Sequence, residues 1–373
     1  MKMKKMKLRS LFMAIICGLM IAAGFTSCSD DEEDNSWKEG SKVDLPQYRA
    51  FVLSEGDYGK NNSHLFFVNP ETDQPSENDI YLTQNGKGLG DTANDMIEED
   101  GNIYVVVNVS KKLLKLNGSG VQQAEYSFDE KLGEPRYICE EDGKLYVSSY
   151  GGYVSRFDAK TLALEASVKV DANPEELVEE DDVIYVVCSG YGAGKTLCTI
   201  NTKTFDKAES IEIVNNPQRI VESDDHIYVL AGSPSYNPAN YDYSTAVYTY
   251  NPQTKKCDYI ANATKMMAYD GNLYFTNSTS SNWVTYTTTY NIYDAKSKQV
   301  STWNLKNIPD EVAGNTVYMI ERNPYDGSFY LAYTDYASNS TICHFTATGE
   351  YKSKFDAGGI NACLLYTSPS PRD

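Results

Sequence analysis

The 373-residue sequence predicts an all-β protein, a seven-bladed β-propeller of four-stranded antiparallel blades, and two independent markers predict it. The first is a repeated phrase. From Gly133 to Val170 the chain alternates apolar and polar residues in four short runs, broken at Asp142-Gly143, Gly151-Gly152 and 158–161. Alternation between such breakers is the pattern of β-strands joined by tight turns. One copy is a unit of about 40 residues, the size of a propeller blade. Its second strand recurs as apolar triplets centred on Tyr104, Tyr146, Tyr185, Tyr228, Tyr274 and Tyr330, spaced 42, 39, 43, 46 and 56 residues apart. A weaker seventh copy, Ala50 to Leu53, has its Phe51 53 residues before Tyr104. The second marker is the turn after the third strand, which opens at Asn69, Asn117, Asp158, Asn201, Asn251, Asp294 and Thr346. Both markers count seven blades.

Residues 1–27 stand outside the repeat. Lys2, Lys4, Lys5, Lys7 and Arg9 precede the apolar run 11–23, which is too short to span a membrane comfortably, and this is the build of a secretory signal. Cys28 sits where a bacterial lipoprotein signal is cut, so lipidation there is expected to leave the protein anchored. The acidic run 30–34 follows, and 28–44 reads as a polar, self-repelling tether. The run also resembles the acidic signal that sends lipoproteins of certain gut anaerobes to the outer face of the outer membrane, which implies display on the cell surface.

Losing the five basic residues of the signal would take the formal charge from −19 to −24. That excess argues against nucleic acid as a partner and against lying flat on an anionic membrane. The propeller itself spans 45–362, read as one domain and a monomer, because blades stacked radially bury faces that none could bury alone. Residues 363–373 break the repeat and look like the translation of a sequencing-library adapter. Phe51 lies in a second strand, so blade 1 lacks a first strand from the N-terminal side. Residues 363–366 are expected to fill that slot beside Phe51.

Catalytic chemistry is thin. His64, His226 and His344 lie in different blades with no metal-binding spacing, so no metal or cofactor is expected. No G-x-S-x-G motif occurs. The run from Gly190 to Thr196 imitates a phosphate loop, but position 189 is Ser and a strand follows where the motif needs a helix. The acidic residues at 98–101, 140–143 and 179–182 recur as turns between first and second strands and read as turn chemistry. Cys139 aligns with Val178 and Val221 as a small core residue. Cys188 and Cys198 flank one hairpin loop and could face each other as a disulfide in an oxidising compartment.

The two ends of the blades differ. First-to-second and third-to-fourth turns are short and regular. Second-to-third loops, at 54–63, 148–152, 189–195, 231–245, 276–285 and 333–340, vary in length and share one face with the fourth-to-first connections. Variable loops on a rigid frame are where function concentrates. Tyr58, Tyr150, Tyr191, Tyr236, Tyr241, Tyr243, Trp283, Tyr333 and Tyr336 stand in these loops among Asn and Ser, and Asn94, Arg136 and Arg219 stand beside them at first-strand starts. Rigid aromatics interleaved with amides make a recognition surface. These twelve are the candidate ligand-binding residues.

The run from Phe51 through Ser54, Glu55, Gly56, Asp57, Gly59, Asn61 and Asn62 to Leu65 resembles the opening of YncE-like surface lipoprotein propellers, with Ser54 and Asp57 replacing the usual Asn residues. The repeated P-x-x-I and DG-x-I-Y-V phrases extend the similarity over 45–361. The resemblance implies a non-catalytic surface lipoprotein. One branch, the BtuG-like proteins, captures corrinoids such as cobalamin and passes them to a TonB-dependent transporter of the outer membrane. That branch supplies the leading specific expectation, capture of a small polar ligand on the variable face. A glycan- or protein-binding adhesion module and a propeller hydrolase or lyase are the alternatives. They differ in whether polar residues from several blades converge at the channel mouth.

Overall fold

The computed structural model describes residues 36–46, 48–282 and 284–367, so the signal segment, Cys28, the acidic run 30–34 and Trp283 lie outside the described residues. Seven four-stranded antiparallel sheets are present, each ordered as a meander from the inner strand outward. The inner strands of blades 2 to 7 are Ala93–Glu99, Pro135–Glu141, Pro174–Glu180, Arg219–Ser223, Lys265–Tyr269 and Thr316–Arg322. Blade 1 takes its inner strand, Ala362–Thr367, from the far end of the chain, and pairs it along Arg49–Ser54 with Phe51 opposite Leu365. The slot beside Phe51 is therefore filled by the expected residues.

Turn chemistry sets the plain face. Asp100-Gly101, Asp142-Gly143 and Asp270-Gly271 all have positive φ, as two-residue type I′ hairpin turns require. The repeated acid ties these turns down: Glu98, Glu140 and Glu179 each accept a backbone N–H from Gly101, Gly143 and Asp182, all at 2.7 Å. The Gly190–Gly192 stretch is a short turn leading into strand Thr196–Asn201, a hairpin loop as the sequence suggests.

The repeated tyrosine explains how blades join. Most second-strand rings project onto the third-strand side of the next blade, while Tyr274 packs on Trp303 and Phe329. Tyr104 donates its hydroxyl to Ala159 O at 2.7 Å, and Tyr146 packs its ring 5.5 Å from Phe205. Tyr185 and Tyr228 meet Tyr250 and Tyr293, each at 6.1 Å. At the closing seam Tyr330 donates to Asp73 at 2.7 Å. Seven apolar clusters fill the blade interfaces with buried Leu, Val, Ile, Phe and Tyr.

Three features depart from the sequence reading. A helix, Ile80–Asn85, lies between blades 1 and 2, capped by Asp79 and ended by left-handed Gly86, with Ile80 and Tyr81 buried. A second, Asp310–Ala313, precedes blade 7. Residues 36–46 dock on the propeller instead of extending as tether: the Arg49 guanidinium lies 3.7 Å above the Trp37 ring, Leu45 is buried, and Lys42 N donates to Gln84. Trp37 and Val43 supply the apolar surface that a polar reading of 28–44 overlooks, and Leu45 continues it into the propeller.

Candidate functional site

The inner strands reach the channel mouth through a shared irregularity. In blades 2, 3, 4 and 7 the ladder shifts register just after the strand begins, between Ala93 and Asp95, Pro135 and Ile138, Pro174 and Leu177, and Val317 and Met319. A bulge sets an extra strand residue against the partner and re-aims side chains. The residues displaced include Asn94, Arg136, Tyr137, Glu175, Glu176 and Tyr318. Arg219 and Lys265 begin the inner strands of blades 5 and 6.

These side chains clasp one blade to the next. Asn94 donates to Arg136 O at 2.6 Å and accepts from the Arg136 guanidinium. Arg136 Nε reaches Glu175 at 3.1 Å, and the same carboxylate accepts from Tyr150 OH at 3.1 Å and Ser189 Oγ at 2.9 Å. Glu176 holds Arg219 through two bonds, at 2.6 and 2.9 Å, and also accepts Ile220 N at 2.9 Å. Between blades 2 and 3 Asp95 makes the equivalent main-chain bond, accepting Ile138 N at 3.0 Å. The Tyr137 ring lies between the two guanidinium groups, 5.3 Å from Arg136 and 5.6 Å from Arg219. Charge-assisted, two-point bonds of this kind fix geometry as well as adding energy.

The opposite arc of the channel is less neutralised. Lys265 places its ammonium 4.1 Å from the Tyr318 ring centroid, and no described carboxylate forms an ion pair with it. Burial, then the nearby Arg219 charge, lowers its pKa to about 8. Tyr318 donates to Glu55 at 2.7 Å, and Asn361 donates to the other Glu55 oxygen at 3.2 Å. Burial raises Asp95 and Glu321 to about 7. Deeper down, a cavity of about 370 Å³ is lined by Val178, Val221, Met267 and Ile320 together with the charged Glu176, Arg219, Glu222 and Glu321.

Beside the clasp, on the variable face, lies a depression of about 250 Å³ lined by Tyr150, Glu175, Ser189, Tyr191, Gly192, Asn216 and Gln218. Blades 3, 4 and 5 all contribute. Tyr236 fixes its rim by donating to Gly192 O at 2.9 Å. The structure thus brings Asn94, Arg136, Tyr150, Tyr191, Arg219 and Tyr236 into one neighbourhood. Tyr58, Tyr241, Tyr243 and Tyr336 are exposed loop residues. Tyr333 is a correction: it is buried between blades 6 and 7, with its hydroxyl 3.0 Å from that of Tyr290, because it continues the inward alternation of strand Phe329–Thr334. Trp283 lies outside the described residues. Sequence reading missed Glu175, Glu176, Tyr137, Ser189, Asn216, Gln218 and Lys265. The signal was present, since Pro135, Pro174 and Pro217 each precede the ring residues at the same step of the repeat.

The remaining motifs resolve as local structure. His64 bonds Asp79 at 2.9 Å, His344 bonds Asp73 at 2.7 Å, and His226 bonds Asp224 O at 2.7 Å, each within its own surroundings. Cys188 and Cys198 are free thiols 3.9 Å apart; the register sets Cys188 opposite Thr196 and Cys198 opposite Val186, so the two meet on a diagonal and not as a direct pair. Cys139 is half-buried against the apolar cluster of blades 3 and 4.

Comparison with curated protein sequences gives no match. Among solved structures the chain is similar to a functionally unknown protein from Desulfotomaculum acetoxidans, at 10% identity over 84% of this chain and 98% of that one, with a TM-score of 0.59. It is similar to a Lactobacillus plantarum protein at 11% identity over 86% and 100%, TM-score 0.58. It is also similar to Kuenenia stuttgartiensis hydrazine synthase at 15% identity over 68% and 76%, TM-score 0.56. At these identities the likeness is one of fold alone. A family profile covers the propeller almost from end to end, matching residues 48–356, and the chain belongs to that family, the domain of unknown function DUF5074.

Proposed function

We propose that this protein is a non-catalytic capture module that binds a small polar ligand on its variable loop face, over the depression between blades 3, 4 and 5. One observation carries the reading: side chains from three blades converge on a single concavity, and among them the Asn216 and Gln218 amides have no side-chain hydrogen bond within the described residues. Amides offer both donors and acceptors, so such groups at an opening serve a polar guest. The three histidines are engaged elsewhere, which speaks against a hydrolase or lyase centred on them.

A corrinoid is the specific ligand that the resemblance to BtuG-like propellers brings. Sites that enclose a ligand measure roughly 300–1,000 Å³. A depression of about 250 Å³ is smaller, so a macrocycle would lie across the mouth with one amide arm entering. Lipidation at Cys28, display on the outer membrane surface and delivery to a TonB-dependent transporter complete the proposal on the strength of the sequence. The exposed rings of Tyr191 and Tyr241 favour glycan binding as the second reading. Calorimetry of the purified protein against cobalamin and against neutral oligosaccharides tests the proposal. Heat from either, lost in Tyr191→Ala, supports capture at this face; no binding of any of them overturns it.

A further inference from the structure

We infer that the depression between blades 3 and 5 is a saccharide subsite, built for one uncharged, hydroxyl-rich ring; the inference rests on the capture reading above. The first argument is electrostatic. The only charged side chain lining the depression among the described residues is Glu175, and it is already engaged by Arg136, Tyr150 and Ser189. A cationic guest would have to displace Arg136 from it. An anionic guest would meet a chain of formal charge −19. The ligand that fits this lining without breaking a bond is neutral.

The second argument is the hydrogen-bonding inventory. The Asn216 residue is only 8% exposed, yet its side-chain amide lines the opening with no hydrogen-bond partner among the described residues. Gln218 adds a second amide two residues on. Both amides reach the opening, where they are free to bond water or a ligand. Each amide presents a donor beside an acceptor. Adjacent hydroxyls of a sugar present the same two functions at similar spacing, so each amide can engage a vicinal diol.

The third argument is the aromatic rim. Tyr191 is 89% exposed, an unusual waste of apolar area for a free-standing ring. Its backbone is held at φ 58 within the Gly190–Gly192 turn, and Tyr236 locks the neighbouring Gly192 carbonyl. The backbone is thereby set before any ligand arrives, which lowers the entropy lost on binding. An aromatic rim and an amide lining together suit the two sides of a pyranose: C–H groups on its face and hydroxyls at its edge.

The test is titration of the purified protein with cellobiose, maltose and N,N′-diacetylchitobiose, alongside galacturonic acid and cobalamin, at low and high salt. At least one neutral disaccharide is expected to bind with an affinity indifferent to salt, while galacturonic acid does not bind. Tyr191→Ala and Gln218→Ala are each expected to weaken that binding roughly tenfold, and Tyr259→Ala, on an outer strand, to leave it unchanged. Saccharide binding that survives both site variants overturns the assignment. So does cobalamin binding lost in Tyr191→Ala with no saccharide bound, an outcome that leaves capture standing. Binding of nothing removes both.

Discussion

The seam between blades 2 and 3 and the seam between blades 7 and 1 use the same tyrosine for different ends. At the first, Tyr104 donates to a main-chain carbonyl, Ala159 O, which also accepts from the Lys115 ammonium. At the second, Tyr330 donates to the Asp73 carboxylate, which also accepts from His344 and Ser353. The His344 ring stacks 4.0 Å from Tyr330 and is fully buried. At one seam the tyrosine joins a main-chain carbonyl alongside Lys115; at the other it joins a charged hub holding three side chains of blade 7 to one residue of blade 1. The difference teaches where a ring of repeats needs reinforcement: at the place where the two ends of the chain must meet, and where sequence neighbours no longer hold the blades in order.

Removing the hub should have the largest effect. Asp73→Ala leaves a buried imidazole and a buried phenol without their acceptor and is expected to cost about 3–5 kcal/mol, read by chemical denaturation. Tyr330→Phe deletes one bond to a charged acceptor and should cost about 1.5–3 kcal/mol. Tyr104→Phe, the matched change at the plain seam, should cost about 1 kcal/mol; equal losses from the two tyrosines would erase the contrast. The mildest probe is acid. Burial raises the Asp73 pKa, but the bonds from His344, Ser353 and Tyr330 together lower it below its ordinary 3.8. The native state then binds fewer protons than the unfolded chain, so this contribution is full above pH 3.8 and fades as pH falls through the native value. Asp73→Asn should flatten the stability profile in that acid window, whereas Tyr104→Phe should shift it without changing its slope.

The blade count and the turn chemistry were legible because each repeats: a tyrosine every forty-odd residues and an acid three residues before the end of the tight turns of blades 2, 3 and 4 are periodic signals. Pairing across the ring was not. Glu175 and Glu176 look like two more acids in a chain with 52 of them, and only the bulge after Pro174 turns one toward Arg136 and the other toward Arg219. Tyr333 misleads for the opposite reason. Its place in the repeat suggests a loop, while the alternation of Phe329 and Leu331 carries it inward. The docking of 36–46 hides behind a polar average that Trp37, Val43 and Leu45 do not share.

The register shift at the head of the inner strands has one more consequence. Because four sheets deliver residues to the mouth from an equivalent step, bonded pairs such as Glu176 and Arg219 can change together while the apolar interfaces behind them stay as they are. Selection, or an engineer, can therefore alter the chemistry of the mouth by editing a handful of coupled letters while the scaffold behind it stays intact.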